Sequence, residues 1–571
     1  MASGEYRNVW RIVLQNFIKS FRPRQIRGNN MGKDYIGNVY YEIPADPSLG
    51  KRKPMRWYDP PKGLDFEDPL PTEWESWLRM RRVHPPTEEE IAKNLAIAEM
   101  KKVNAAKIET KRLAEGGSLP SIPEKGPQSF PTYPDLHAGE VPQVFVIPIS
   151  FTIVFFFAFY LVSRKLMSKV SPQEIFGLED KYGCRNYAPV PVAVSRGEGV
   201  FVWDVTGKRY YDFLSAYSAV NQGHCHPRII AALKKQAEIL TLVSRAFYSD
   251  QLGKYEKFMT DLFGYDRLLP MNTGVEGGES AIKMARKWGY DVKKIPKNQA
   301  KIIFANGNFW GRTLSAVSSS TDPTCYEGFG PYMPNFVLIP YNDIPALEKL
   351  LQDPTVAAFM VEPIQGEAGV IVPDDGYLKK VRELCTKYNV LWIADEVQTG
   401  LGRTGKLLAV DHEGVKPDIL VLGKALSGGT MPVSAVLANN NVMDVIKPGT
   451  HGSTYGGNPL ACAVAIESMK VLIEEKLIEN ADKMGRILRE ELRKIAKDRV
   501  TTVRGKGLLC AIDVHDSIPA YDVCIRLRDA GLLAKTTHGQ TIRFAPPLVI
   551  NEEQIREGAA IIRKVLETFN K

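Results

Sequence analysis

The sequence predicts an α/β fold from about residue 166 onward, a mostly parallel sheet wound with helices, and three segments carry that expectation. Asn389–Ala394 is a short apolar run that ends in Asp395-Glu396. Asp418–Gly423 is a second such run, and it ends in Lys424. Continuous apolar runs of this length suit strands buried on both faces, as in parallel sheets. The third segment, Gly274-Val275-Glu276-Gly277-Gly278, precedes a run of good helix formers from Glu279 to Trp288. Glycine-rich backbone opening a helix offers free amides and a positive dipole end to an anion. In open α/β sheets, ligands sit in the crevice outside the carboxyl ends of the strands.

A carboxylate and an amine delivered to two such strand ends suit pyridoxal 5'-phosphate. That cofactor needs a lysine for its Schiff base and an acid to keep its pyridine nitrogen protonated. Further segments fit the same picture. They are Asn272–Glu279, Asn308–Arg312, Glu362–Glu367, Ala394–Gly400, Gly423–Gly429 and His451–Pro459. Together they resemble the class III, pyridoxal-phosphate-dependent ω-aminotransferases, with the motifs in order from about Val170 to Lys571. Tyr217–Pro227 and Ile542–Leu548 look like the ornithine-using branch of that family. Gly277 and Thr430-Met431 depart from that branch's pattern, which bears on fine specificity and not on the reaction.

The resemblance implies a type I transferase fold: an N-terminal arm over residues 166–225, a large domain over 226–471 and a small α+β domain over 472–571. It implies Lys424 as the Schiff-base lysine and proton carrier, and Asp395 as the partner of the pyridinium nitrogen. Gly274 and Val275 would hold the phosphate, Phe309 would stack on the ring, and Gln398 would touch the phenolic oxygen. Ser453 and Thr454 would reach the phosphate of a neighbouring subunit's cofactor, which implies a homodimer with shared sites, or a higher oligomer built from it. Tyr187 and Arg312 match positions that hold the α-amino-acid end of ornithine. Arg543 matches the residue that binds the α-carboxylate of 2-oxoglutarate, and arginine can do so bidentately. Glu367 matches the acid that pairs with Arg543 when ornithine is bound, and Tyr217 the position that favours ornithine. An inert, membrane-tethered copy of the fold is the rival from another class. Another ω-aminotransferase, acting on acetylornithine or 4-aminobutyrate, is the rival within the family.

Composition adds limits. A chain of 571 residues exceeds one ordinary domain. A net charge of +9 is modest for that length, and no basic-aromatic motif points to nucleic acid. His224 and His226 flank Cys225, but this spacing is poor for metal ligation and no metal is expected. All seven cysteines lie at or after Cys184 without a Cys-x-x-Cys pair, which predicts reduced, free thiols.

The first 110 residues differ in kind. Val9–Phe21 has apolar residues at helical spacing with Arg11 and Lys19 between them and Arg7, Arg22, Arg24 and Arg27 beside it, as a mitochondrial transit sequence or an ordinary amphipathic helix would. Asp34–Pro44 alternates and carries Gly37-Asn38 like a turn, predicting a hairpin. Thr72 and Thr87, each with acids behind it, predict helix caps. With Trp74-Glu75-Ser76-Trp77-Leu78-Arg79, the stretch from about Trp10 to Lys102 resembles the mitochondrial complex I accessory subunit of the 17-kDa type and its mimitin-type assembly factors. The resemblance implies a small, irregular α+β module, not an enzyme, that binds complex I intermediates through residues 1–110.

Residues 111–140 lose periodicity and gather Pro, Gly and Ser, predicting a disordered linker. Within residues 141–165, Val144–Val162 carries no charge and has the length of one membrane span, followed by Arg164, Lys165 and Lys169. A span there would put the two family-like parts on opposite sides of a membrane, with the basic cluster favouring the C-terminal part on the matrix side. Two readings avoid the conflict: two neighbouring genes merged in one chain, or a targeting segment of the C-terminal part. A natural fusion is the third.

Overall fold

Between Val146 and Ile147 the chain divides into two units. The computed structural model describes residues 28–45, 54–61, 70–96 and 171–569. The basic stretch Val9–Phe21, the linker over 111–140 and the apolar Val144–Val162 lie outside the described residues. Among the described residues no helix is long and apolar enough to cross a membrane.

The first unit is an antiparallel meander, β1 (Asn29–Lys33), β2 (Val39–Ile43) and β3 (Met55–Asp59), with helix α1 (Thr72–Leu78). Its core is aromatic. Trp74 stacks on Tyr40 with ring centroids 3.9 Å apart, and Trp77 meets Trp74 edge-on at 5.7 Å. The Arg56 guanidinium covers Trp77 at 4.4 Å. The expected hairpin exists, but its first strand lies before Asp34 rather than within Asp34–Pro44. The reason is the Asp34 carboxylate, whose Oδ1 accepts the amides of Ile36, Gly37 and Asn38 at 2.8–2.9 Å and curls those residues into the turn. Thr87 caps as expected, accepting from the Glu90 amide at 3.3 Å. Thr72 does not: it is the first residue inside α1, and the cap position belongs to Pro71, which has no side-chain acceptor to offer.

In the second unit, α2 (Pro172–Tyr182) precedes a small antiparallel ribbon of β4 (Val194–Glu198), β5 (Phe201–Asp204) and β6 (Arg209–Asp212). Helix α3 (Pro227–Ala237) leads to the central sheet. Its strands are β7 (Arg267–Met271), β8 (Lys301–Ala305), β9 (Phe336–Ile339), β10 (Val356–Val361), β11 (Leu391–Asp395), β12 (Ile419–Leu422) and β13 (Ser434–Ala438). They lie in the order β7-β13-β12-β11-β10-β8-β9, and only β13 pairs antiparallel to its neighbours. β10 to β13 are buried along their whole length, which is why they read as unbroken apolar runs. Helix α4 (Gly274–Asp291) follows β7 and buries Ala281, Met284, Ala285 and Trp288 against the sheet. Its start is fixed by a capping box between Thr273 and Glu276.

Helix α5 (Pro459–Glu474), which contains residue 472, is followed by α6 (Leu477–Arg493) and the C-terminal part of the unit. The antiparallel sheet β14 (Val500–Lys506), β15 (Leu509–Val514), β18 (Thr541–Phe544) and β17 (Lys535–Thr536) packs against α6, and α7 (Glu552–Glu567) packs on α6 in turn. The short β16 (Leu532–Leu533) leaves this sheet and pairs in parallel with β6, tying the C-terminal part to the N-terminal ribbon. Helix α6 crosses the β14–β15 turn so closely that a Cβ on Gly485 would stand 1.7 Å from the Gly507 carbonyl oxygen. Gly485→Ala is therefore expected to destabilise the chain by about 1–3 kcal/mol through forced backbone displacement. An unchanged denaturation midpoint would remove that contact from the account.

Candidate active site

The parallel pairing of β11 and β12 sets Asp395 level with Val421, so both strands end at one edge of the sheet. Lys424 follows β12 in the left-handed region, with φ of 42°, on a turn fixed by Gln222. The Gln222 side-chain amide donates to the Ala425 carbonyl at 3.1 Å and to Ser468 Oγ at 2.8 Å. Lys424 Nζ forms no hydrogen bond or ion pair among the described residues. Burial, then the Arg543 charge, pull its ammonium down to about 8, against Asp395, Glu362 and Glu367. Asp395 is buried, and burial pushes its carboxyl up to about 6 although the Val397 amide and Lys424 oppose this. Its Oδ1 accepts from Val397 at 3.0 Å, while Oδ2 has no hydrogen-bond partner among the described residues.

β18 brings Arg543 to the same place. The residue is 1% exposed. Its Nη1 donates to Gln398 Oε1 at 2.8 Å and its Nη2 to Ser218 Oγ at 2.7 Å. Tyr217 lies beside it, with the guanidinium 5.8 Å from the ring centroid. Burial lowers the Arg543 pKa to about 10, opposed first by Glu367. Glu367 is thus electrostatically close, but no ion pair within 4.0 Å joins it to Arg543 among the described residues; the two neutral acceptors hold the guanidinium instead. Ser215, Ala216, Tyr217 and Ser218 all have positive φ, a left-handed turn of four non-glycine residues. Each costs roughly 1–2 kcal/mol. The Asp212 carboxylate holds the turn's entrance by accepting from the Leu214 and Ser215 amides at 2.8 and 2.9 Å. His224 Nε2 lies 2.7 Å from the other Asp212 oxygen, and His226 faces Glu475 at 3.1 Å.

The remaining expected residues fall in three places. Gly274 and Val275 open α4, where first-turn amides have no intrahelical acceptor. Backbone there is tightly enclosed: a Cβ on Gly274 would meet Val397 at 2.8 Å, and one on Gly311 would meet Val275 at 2.3 Å. Phe309 and Arg312 share the loop after β8, the guanidinium 5.8 Å from the ring. Tyr187 is 72% exposed, and Arg312 and Thr454 are exposed too. Ser453 accepts from Asn272 Nδ2 at 2.9 Å, which places it beside the start of α4. These features fit pyridoxal phosphate. There are amides for a phosphate, a free buried carboxylate oxygen for a ring N–H, an unbonded lysine amine, and a Gln398 amide nitrogen left to donate.

Three contributors carried no role in the sequence. Glu362, at the end of β10, accepts the Phe309 amide at 3.0 Å and the Gly366 amide at 3.1 Å, so it shapes both loops of the crevice. Burial and Asp395 push its carboxyl up to about 8. Arg403 is fully buried and donates to the Leu508 and Pro546 carbonyls and to Asn221 Oδ1. Ser218 holds Arg543. Glu362 and Ser218 lie in segments that were themselves legible, though without a role for either residue; nothing marked Arg403, because its partners are far away in the chain.

The family model of class-III aminotransferases matches residues 182–566, and that of NADH ubiquinone oxidoreductase subunit NDUFA12 matches residues 28–115. The mitochondrial ornithine aminotransferase of Drosophila melanogaster is 70% identical over 392 residues, covering 69% of this chain and 91% of that protein. The crystal structure of the ornithine aminotransferase from Toxoplasma gondii is similar at a TM-score of 0.69 and 53% identity, covering 71% of this chain and 97% of that one. A structure described as the acetylornithine aminotransferase of Elizabethkingia anophelis is similar at a TM-score of 0.64 and 56% identity, covering 70% and 99%.

Because Glu362 offers an oxygen to each of two amides, Glu362→Gln turns one acceptor into a donor facing a donor. The change is expected to destabilise the protein by about 1–3 kcal/mol, the cost of a buried unsatisfied amide. Thermal unfolding checks this, and an unaltered midpoint would refute it.

Proposed function

We propose a reaction for this chain, which belongs to the class-III aminotransferase family: transfer of the δ-amino group of L-ornithine to 2-oxoglutarate. The products are glutamate and glutamate 5-semialdehyde, which cyclises to pyrroline-5-carboxylate. One observation carries the proposal: an unbonded amine and a buried carboxylate at adjacent strand ends, faced by a buried guanidinium with neutral partners. Pyridoxal phosphate, when bound, supplies an electron sink. The Gly274 and Val275 amides would hold its phosphate, Asp395 its ring nitrogen, Gln398 its phenolic oxygen and Phe309 its face. Ser453 and Thr454 would serve the phosphate of a second subunit, making a homodimer the working unit.

Lys424 would anchor the cofactor and then carry a proton to and from the substrate carbon. That task needs a neutral amine near physiological pH, and burial beside Arg543 supports one. Arg543 would bind the α-carboxylate of 2-oxoglutarate. Tyr187 and Arg312 would hold the amino-acid end of ornithine, Glu367 would take over Arg543 during that half-reaction, and Tyr217 would favour ornithine among donors. The names of the curated relatives support a mitochondrial site of action, and we place the aminotransferase part in the matrix. Residues 1–110 would engage complex I intermediates, in keeping with the match over 28–115.

The similarity to a structure described as an acetylornithine aminotransferase favours a second reading, in which acetylornithine is the amino donor. A donor panel with purified protein separates the two. Ornithine is expected to exceed acetylornithine and 4-aminobutyrate by more than about tenfold in kcat/KM, a difference of about 1.4 kcal/mol. The reverse order would assign the chain to the other branch. Lys424→Ala is expected to abolish turnover and the absorbance of lysine-bound cofactor; a variant keeping both would overturn the assignment of Lys424.

A further inference from the structure

The left-handed turn has φ of 49°, 46°, 59° and 72° at Ser215, Ala216, Tyr217 and Ser218. Side chains rarely adopt this region, and a run of four persists only where its surroundings over-determine it; such outliers cluster at functional sites. Here both ends are fixed. Asp212 and His224 hold the entrance. At the exit, the Ala219 and Val220 amides donate back to the Ser215 carbonyl at 2.9 and 3.1 Å, and Asn221 is tied to Leu401 and Arg403. The turn delivers two consecutive side chains to one guanidinium: the Tyr217 ring beside Arg543, and Ser218 Oγ accepting from its Nη2.

We propose that Ser218 is a positioning residue for Arg543, a neutral acceptor that aims the guanidinium without neutralising it, and that the left-handed turn serves to place that hydroxyl. The inference rests on the reading of Arg543 as the anchor for the 2-oxoglutarate carboxylate. A buried cation held by a carboxylate would already be paired. One held by Ser218 Oγ and Gln398 Oε1 keeps its charge for the substrate while its orientation is fixed. Glu367, near but unbonded, remains free to pair with it in the other half-reaction.

The two half-reactions of the holoenzyme, followed separately by single-turnover spectroscopy, test this. Hydrogen bonds to charged groups contribute enough that Ser218→Ala is expected to lower kcat/KM for 2-oxoglutarate about tenfold, mainly through KM. The ornithine half-reaction should change less than about twofold, since Arg543 has then passed to Glu367. Ser218→Asp, which adds a fixed counter-ion, is expected to depress the 2-oxoglutarate half-reaction further than Ser218→Ala does. Ser218→Gly removes the hydroxyl and relieves the φ strain; it should match Ser218→Ala in 2-oxoglutarate kinetics. Wild-type kinetics in the glycine variant alone would show that strain matters and the hydroxyl does not. Equal losses in both half-reactions of Ser218→Ala would show a general structural role. Either result overturns the proposal. Arg543→Lys separates the two layers: no effect on 2-oxoglutarate would sink the reading of Arg543 itself. An effect there, with none in Ser218→Ala, would sink only the role of Ser218.

Discussion

Parallel pairing between β11 and β12 is the constraint on which the site depends. Two adjacent strands running the same way must end at the same edge, and the residues following them share one crevice. Asp395 and Lys424 are brought together by backbone hydrogen bonds, not by their mutual attraction. That matters because neither is well solvated there. Buried as they are, the acid and the base are displaced toward their neutral forms, which the surrounding charges only partly reverse.

The crevice therefore holds charged groups whose natural partners are withheld. Asp395 has one oxygen bonded and one free, and Arg543 has hydroxyl and amide partners. Leaving ionisable groups unpaired in the interior is costly, and the cost falls when a ligand supplies the missing partner. The groups not left free are held hard. Glu362 fixes the loops bearing Phe309 and Gly366, and Gln222 fixes the turn after Lys424.

Three stretches far apart in the chain must meet for this to work. The parallel bridge of β16 to β6 joins the C-terminal part to the N-terminal ribbon. Arg403, from the loops after β11, donates to the Leu508 and Pro546 carbonyls of the C-terminal part and to Asn221 beyond the left-handed turn. One planar guanidinium, its donors fixed in a fork, serves three segments at once. Through these ties the turn that carries Tyr217 and Ser218 faces β18, and Arg543 meets them.

Much was legible in the sequence because it depends on local chemistry. Buried strands must be apolar and helix starts must be capped, so β11, β12 and α4 could be placed from their residues, and the charged residues at their ends with them. The first unit shows where local reading slips: Asp34 bends its own chain into a turn, and Pro71 takes the position that Thr72 was expected to fill. The left-handed turn, the partners of Arg543 and the roles of Glu362 and Arg403 were decided only by the tertiary structure. Each depends on groups from segments far apart in sequence that meet only when the sheets close. A strained turn is stable only because those distant groups hold it, and no local pattern records them.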